Sequence, residues 1–319
     1  MRLWKKLLFG FLGILLVLFF ANLAGSWFFW AFAPSETKNP PPANFQPLSL
    51  QTSAGQTVPG TVFFQEMGSG EPLLLLHGFL GSHLDFAAVV QTLSSRFHVF
   101  VMDLPGFGLS DKNPELDLSK KGLAQSAWSF LQARGISRFS LLGHSMGGEV
   151  ALNLALDHPE SVSRLILVDS AGYSENQFLP GWVESNPWLG NLLFRSFFQT
   201  AMMQYPLSRS ALYDASNLSF SHFARSFALV FHIPSKTLLS FNNQDDGGAR
   251  AAEFSQLSLP TLLVWGEQDP IYPLEHAQRF LQHLANATLT VLPECGHSPL
   301  IEKPTELSES ILAFLGSGG

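Results

Sequence analysis

Residues 139–150 read FSLLGHSMGGEV, an apolar run that breaks into Gly143-His144-Ser145-Met146-Gly147, with Gly148 behind it. A continuous apolar run of this length reads as a strand buried on both faces, and the residues after it as the start of a helix. Glycines on both sides of Ser145 suit a sharp strand-to-helix turn, because only residues without Cβ let the neighbouring chains come close. A serine held there presents its Oγ at a helix N-terminus, where developing negative charge is favoured. The pattern G-x-S-x-G is common by chance. Set between a strand and a helix, it makes Ser145 a candidate nucleophile.

Outward from this turn the chain alternates strands with helices. Short β-like runs near 48–52 and 57–65 precede EPLLLLHGF, a helical pattern spans 83–95, and FHVFVMDLPGFG gives another buried strand. A helix near 119–134, the strand at 138–142, a helix at 147–157 and the strand in RLILVDS follow. After a long interruption come PTLLVWGEQDP, a helix near 273–284, ATLTVLPECGH and a last helix near 305–315. Such alternation specifies an α/β domain with a mostly parallel sheet covered on both sides. Active sites in these sheets lie at the carboxyl ends of the strands. His77, Asp103, Ser145, Asp169, Asp269 and His297 each fall at or just beyond such an end.

A serine needs a base to become a nucleophile. His297, in PECGHSP after the final strand, is the best placed of the ten histidines. His98, His158, His276 and His283 read as surface or helix-edge residues, while His222 and His232 fall in an aromatic insertion and could line a pocket. His144 beside the serine reads as a packing residue. The base in turn needs an orienting carboxylate. Asp269 in VWGEQDP gives the chain order Ser, Asp, His, and Asp169 is its rival. Asp103 reads as a brace for the DLPGFG turn. The backbone N–H groups of Met146 and of Phe79, after the His77-Gly78 turn, are the candidate oxyanion donors.

The stretches LLLLHGFLGS, DLPGFGLSD, LLGHSMGG, LLVWGEQDP and PECGHSPLIEKP resemble the α/β-hydrolase superfamily over about residues 60–316. The resemblance implies the α/β-hydrolase fold: a mostly parallel eight-stranded sheet with helices on both faces and a helical cap inserted over the active site. It further implies Ser145 as nucleophile, His297 as base, Asp269 as orienting acid, and Phe79 with Met146 as oxyanion donors. Serine at the elbow departs from the dehalogenase and epoxide-hydrolase branches, which carry aspartate there. GHSMGG is similar to monoacylglycerol-lipase-type members, though many other esterases share it. Hydrolysis of a carbon–carbon bond in a ring-cleavage product, or perhydrolase chemistry, uses the same three residue types on this fold. A non-enzymatic binding protein would lack one of them, and none is missing.

The core is read as 48–171 and 251–319, with 172–250 as the cap. Rings crowd the cap from Phe178 to Phe231, with Phe198 and Phe223 among them. Most are read as packing the cap onto the sheet, and the surplus as lining a greasy pocket for acyl chains. His77, Gly78, His144, Phe198 and Phe223 are the candidate pocket residues. The implied substrate is an apolar ester of the monoacylglycerol kind.

Only 13% of the 319 residues are charged, against about 25% in an average soluble protein. The net charge of −7 and the absence of a basic stripe exclude a nucleic-acid partner. Cys295 is the single cysteine, so neither an intramolecular disulfide nor a cysteine-rich zinc site is possible. There is no metal-ligand cluster, phosphate loop or dinucleotide fingerprint, and no cofactor is expected. Arg2, Lys5 and Lys6 precede an uncharged run from Leu7 to Phe32. As a helix it spans about 39 Å, more than the ~30 Å of a hydrocarbon core. Residues 1–33 are therefore read as an anchor, with the N-terminus cytoplasmic, the catalytic domain on the far side and membrane lipids as neighbours. The alternative is a signal sequence cleaved near Ala31-Phe32-Ala33 or Ala24-Gly25-Ser26, giving a secreted protein. Residues 34–47 hold five prolines and read as an extended spacer. Oligomeric state has no signal in the sequence.

Overall fold

Eight strands form one sheet: β1 (Phe45–Gln51), β2 (Thr57–Met67), β3 (Glu71–Leu76), β4 (Phe97–Met102), β5 (Phe139–His144), β6 (Val162–Val168), β7 (Thr261–Gly266) and β8 (Ala287–Leu292). Their spatial order is β1-β2-β4-β3-β5-β6-β7-β8, with β2 antiparallel to its neighbours and the rest parallel. The computed structural model describes residues 41–173, 200–244 and 246–316, together with Gly13, Phe20, Ala24, Trp27 and Ala31.

The apolar runs at the centre of the sheet explain its two layers. Successive strand side chains point to opposite faces, so Leu73, Leu75, Val99, Val101, Leu142, Ile166 and Val264 enter one core. Leu74, Leu76, Phe100, Met102, Leu141, Leu165 and Leu263 enter the other. Helices α1 (Val90–Ser94) and, near the C-terminus, α9 (Pro304–Gly316) cover the first face through Val90, Leu93, Leu307, Ile311 and Leu315. Helices α2 (Lys120–Ala133), α3 (Met146–Asp157) and α7 (Leu274–His283) cover the second, through residues such as Leu123, Val150 and Phe280. At about 1.5–3 kcal/mol for each fully buried leucine, β3 alone is strongly committed to the centre.

The cap expected over 172–250 is described from residue 200. It contains α4 (Ala201–Ser210), α5 (Phe220–Phe231) and α6 (Ser235–Asn243). Phe223, Phe227 and Phe231 recur every fourth residue along α5 and touch in sequence, with centroids 5.6 and 6.1 Å apart. With Ala201, Leu212 and Leu218 these rings form a cluster of the cap's own, whereas the sequence reading packed most of the cap's rings onto the sheet. Phe198 and the cap residues 174–199 lie outside the described residues.

Two boundaries differ from the sequence reading. Phe45, Gln46 and Pro47, assigned to the spacer, belong to β1 and pair with Phe63, Val62 and Thr61. Pro47 is tolerated because β1 is an edge strand, where a missing N–H can face away from the ladder. The helix expected over 83–95 is broken into a 3₁₀ turn (His83–Phe86) and α1. Asp85 closes that turn by accepting the Ser82 N–H at 3.2 Å, while Ser82 Oγ accepts from Leu84 N. No helix among the described residues is long and apolar enough to cross a membrane. The span expected over Leu7–Phe32 lies outside them, apart from the five isolated positions.

Candidate active site

Strand β5 ends at His144, α3 begins at Met146, and Ser145 between them has φ 54° and ψ −124°. A non-glycine residue held there costs on the order of 1–3 kcal/mol. Three backbone bonds hold it: Ser145 N–H donates to Val168 O at 3.0 Å, and Ser145 O accepts from Gly148 N at 2.9 Å and Ala171 N at 3.0 Å. The flanking glycines are required by close approach. A Cβ on Gly147 would run into the carbonyls of Leu76 and His77, and one on Gly143 into the peptide of Gly147.

The other two members arrive on loops after β7 and β8. His297 Nε2 lies 2.9 Å from Ser145 Oγ, and its Nδ1 lies 2.8 Å from Asp269 Oδ2. A carboxylate only accepts, so Nδ1 carries the proton and Nε2 accepts from the serine hydroxyl. Asp269 is fixed through Oδ1, which accepts the N–H groups of Ile271 at 2.7 Å and Tyr272 at 3.0 Å. The His297 N–H donates to Ala211 O in the cap at 2.8 Å. Glu302 ties the same loop to the cap, accepting from Gly296 N at 2.8 Å and Asp214 N at 3.1 Å. PLIEKP was visible in the sequence, but nothing local marked Glu302 as this bridge.

Asp169, the rival acid, stands apart from the relay. Its Oδ1 accepts the Gly266 N–H at 2.8 Å, and its buried Oδ2 has no partner among the described residues. Burial, and then the neighbouring Asp269, push its pKa well above the ordinary carboxylate range, in the direction of the neutral acid. Asp103 braces its turn as expected, accepting from His83 N at 2.6 Å and Leu109 N at 2.7 Å.

The candidate oxyanion loop runs from His77 to Gly81. His77 was expected to line the pocket and does not. It is fully buried, its Nδ1–H donates to Gly78 O at 2.8 Å, and its Nε2 accepts from Leu104 N at 3.0 Å. A ring nitrogen that must accept cannot be protonated, and burial lowers the His77 pKa in the same sense. His77 therefore shapes the loop from beneath. Gly78 does line the cavity, so close to Ser145 that an added Cβ would lie 3.0 Å from the serine Cβ and 3.4 Å from its Oγ. Phe79 also lines it, with its ring stacked on Phe241 of α6 at 5.1 Å. Met146 supplies the first N–H of α3, next to the serine.

His144 and Phe223 line the cavity, and so does His222; His232 is not among its lining residues. His144 Nε2–H donates to His297 O at 2.9 Å, leaving Nδ1 bare. Burial, with His297 beside it, lowers its pKa to about 3. One atom each of His144, Asp169 and His297 lie within 4.8 Å of one another. Both His297 nitrogens are already engaged by Asp269 and Ser145, so a metal there would have to break the relay.

The cavity over Ser145 measures about 210 Å³. Phe79, Leu80, Leu212, Leu218, Phe227 and Val230 form much of its wall. Asp85, Gln204, Ser208 and Ser226 also line it, and none of these was singled out from the sequence.

A nucleophile elbow, a histidine and carboxylate on later loops and an inserted cap define a hydrolase of the α/β class. The family model described as alpha/beta hydrolase fold matches residues 71–304, and the chain belongs to that family. Lipase 1 of Psychrobacter immobilis is 30% identical over 77% of this chain and 77% of its own length. The 2-hydroxy-6-oxo-6-phenylhexa-2,4-dienoate hydrolase of Comamonas testosteroni is 26% identical over 80% of this chain and 91% of its own. Among solved structures, one titled as a membrane phospholipase A, a bacterial virulence factor, shares the fold at TM-score 0.69 and 24% identity, covering 98% of each chain.

Proposed function

We propose that this protein is a serine hydrolase of carboxylic esters with apolar, lipid-like acyl groups, of the monoacylglycerol kind. The observation that carries the reading is the unbroken relay from Asp269 through His297 to Ser145, opening into a largely apolar cavity. His297 Nε2 takes the hydroxyl proton as Ser145 Oγ attacks the ester carbonyl. The carbonyl oxygen becomes an oxyanion held by the N–H groups of Phe79 and Met146, each worth about 10²–10³ in turnover at comparable sites. Collapse expels the alcohol, which takes the proton from His297. A water, deprotonated by the same histidine, then releases the acid from the acyl-enzyme. Leu7–Phe32 holds the domain at a membrane, on its non-cytoplasmic side, close to such substrates.

A second reading has one observation in its favour, the likeness to a hydrolase of a dienoate. Such a substrate bears a carboxylate. The described lining of the cavity includes no lysine or arginine to offset the burial of an anion, and Asp85, whose pKa burial pushes up to about 7, adds repulsion once it ionises. This favours the neutral ester. A chain-length series of p-nitrophenyl and glycerol esters, assayed beside the 6-phenyl dienoate, separates the two readings. The expected result is turnover of the esters, rising with acyl length, and little of the dienoate. Turnover of the dienoate alone would overturn the ester reading.

A further inference from the structure

The wall of the cavity is apolar with one polar interruption. Gln204 and Ser208 lie one turn apart on α4, and His222 and Ser226 one turn apart on α5. Residues four apart share a helix face. The two helices pack together and all four residues line the cavity, so both faces turn toward the site above Ser145. Gln204 Oε1 and Ser226 Oγ are buried there without a hydrogen-bond partner among the described residues. Buried polar atoms in folded proteins are rarely left this way, and two in one cavity point to a ligand that satisfies them. Helix α5 also packs against the His83–Phe86 turn, which brings Asp85 into the same lining beside Gly78 and Gly81.

We propose that Gln204, Ser208, His222 and Ser226, together with Asp85 from the core, form a subsite for the alcohol half of the ester, and that this half is an uncharged polyol such as glycerol with its free hydroxyls. The proposal rests on the ester-hydrolase reading and adds to it the residues that would recognise the alcohol half. The chemistry of the group selects the ligand. Gln204 Oε1 and the Asp85 carboxyl accept, while the Ser208 and Ser226 hydroxyls donate or accept. Burial, with Arg225 nearby, lowers the His222 pKa and favours the neutral ring, which also offers one donor and one acceptor. Hydroxyl groups match this mixture. A plain alkyl alcohol leaves the two orphaned atoms unpaired. A quaternary ammonium carries no N–H to give to Gln204, and a phosphate or carboxylate finds no cation in the described lining.

The test uses the detergent-solubilised full chain and two esters of one fatty acid, the 1-monoacylglycerol and the n-propyl ester. Their kcat/KM ratio is the readout, in wild type, Gln204→Met and Ser226→Ala. Wild type is expected to prefer the monoacylglycerol, and each variant to lower that ratio about three- to tenfold, chiefly through KM, the range for loss of one hydrogen bond. The rate of Ser145 labelling by a fluorophosphonate checks that the relay is assembled. If Gln204→Met labels poorly, the single-atom Ser226→Ala decides. Free glycerol should inhibit wild type competitively and Ser226→Ala more weakly. An equal fall on both esters, or no change in either, overturns the subsite while leaving the ester reading intact. A wild type that hydrolyses neither ester overturns both. Burial pushes the Asp85 pKa up to about 7, so at pH 8.5 Asp85→Asn removes a charge while keeping an acceptor for the Ser82 N–H, and it is expected to raise kcat/KM for a monoalkyl succinate about fivefold at that pH; no gain removes Asp85 from the subsite.

Discussion

The floor and the wall of the cavity are built to opposite rules. At the ends of β5, β7 and β8 the reacting groups have their partners already: Ser145 with His297, His297 with Asp269, and Asp269 with two backbone N–H groups. In the wall of the same cavity, Gln204 Oε1 and Ser226 Oγ have none among the described residues. Preorganised donors and acceptors cost no reorganisation when charge develops, which is what the chemical step needs. Unpaired acceptors in the wall gain only when a matching molecule arrives, which is what discrimination needs. On the proposed reading the bond-breaking machinery is complete without substrate, and recognition is left for the substrate to complete.

The comparison breaks first on the two carboxylates of the floor. Asp269→Asn removes the group that holds the His297 tautomer, and kcat should fall by about 10⁴-fold. Asp169→Asn keeps an oxygen for the Gly266 N–H and replaces an acid whose ionisation burial already opposes. Its kcat should stay within about threefold of wild type. The reverse pattern would move the orienting role to Asp169.

A smaller effect lies in the acid stability of the floor. His144 has a folded pKa of about 3, well below the ordinary 6.5, because it is buried beside His297. Below pH 6.5 the unfolded chain takes up a proton that the folded chain refuses. The contribution of His144 is therefore fully present above about pH 6.5 and is lost progressively as pH falls toward 3, by at most about 1.4 kcal/mol per unit. His144→Gln, whose Nε2 can still donate to His297 O, should show a flatter fall of Tm between pH 6.5 and 4 than wild type. Parallel curves would mean that His144 already carries its ordinary pKa in the fold. The polyol subsite sharpens the wall by a few-fold only, in the ratio of monoacylglycerol to propyl ester.

Much of the floor was legible in the sequence because it is set locally. Gly143 and Gly147 announce a close-packed turn, and the runs in FSLLGH, TLLVWG and ATLTVL announce the strands whose ends position Ser145, Asp269 and His297. The wall was far less legible. Gln204 and Ser208 have helical spacing in plain view, but which face of α4 turns inward is decided by its docking on α5. Asp85 reads as an ordinary residue inside an expected helix, but that helix stops after Phe86, and the single turn that Asp85 caps through the Ser82 N–H is brought to the cavity by the packing of α5. His77 misled in the other direction. A histidine at a strand end reads as a pocket group, yet both its ring nitrogens are consumed by the backbone of Gly78 and Leu104.

The central claim is that Ser145 performs the chemistry, and covalent capture tests it most directly. A fluorophosphonate added to the purified chain should modify one site, mapped by mass spectrometry to the peptide containing GHSMGG. Ser145→Ala should take up no label and lose ester turnover by about 10⁶-fold. Labelling or turnover of wild-type size in Ser145→Ala would contradict the account.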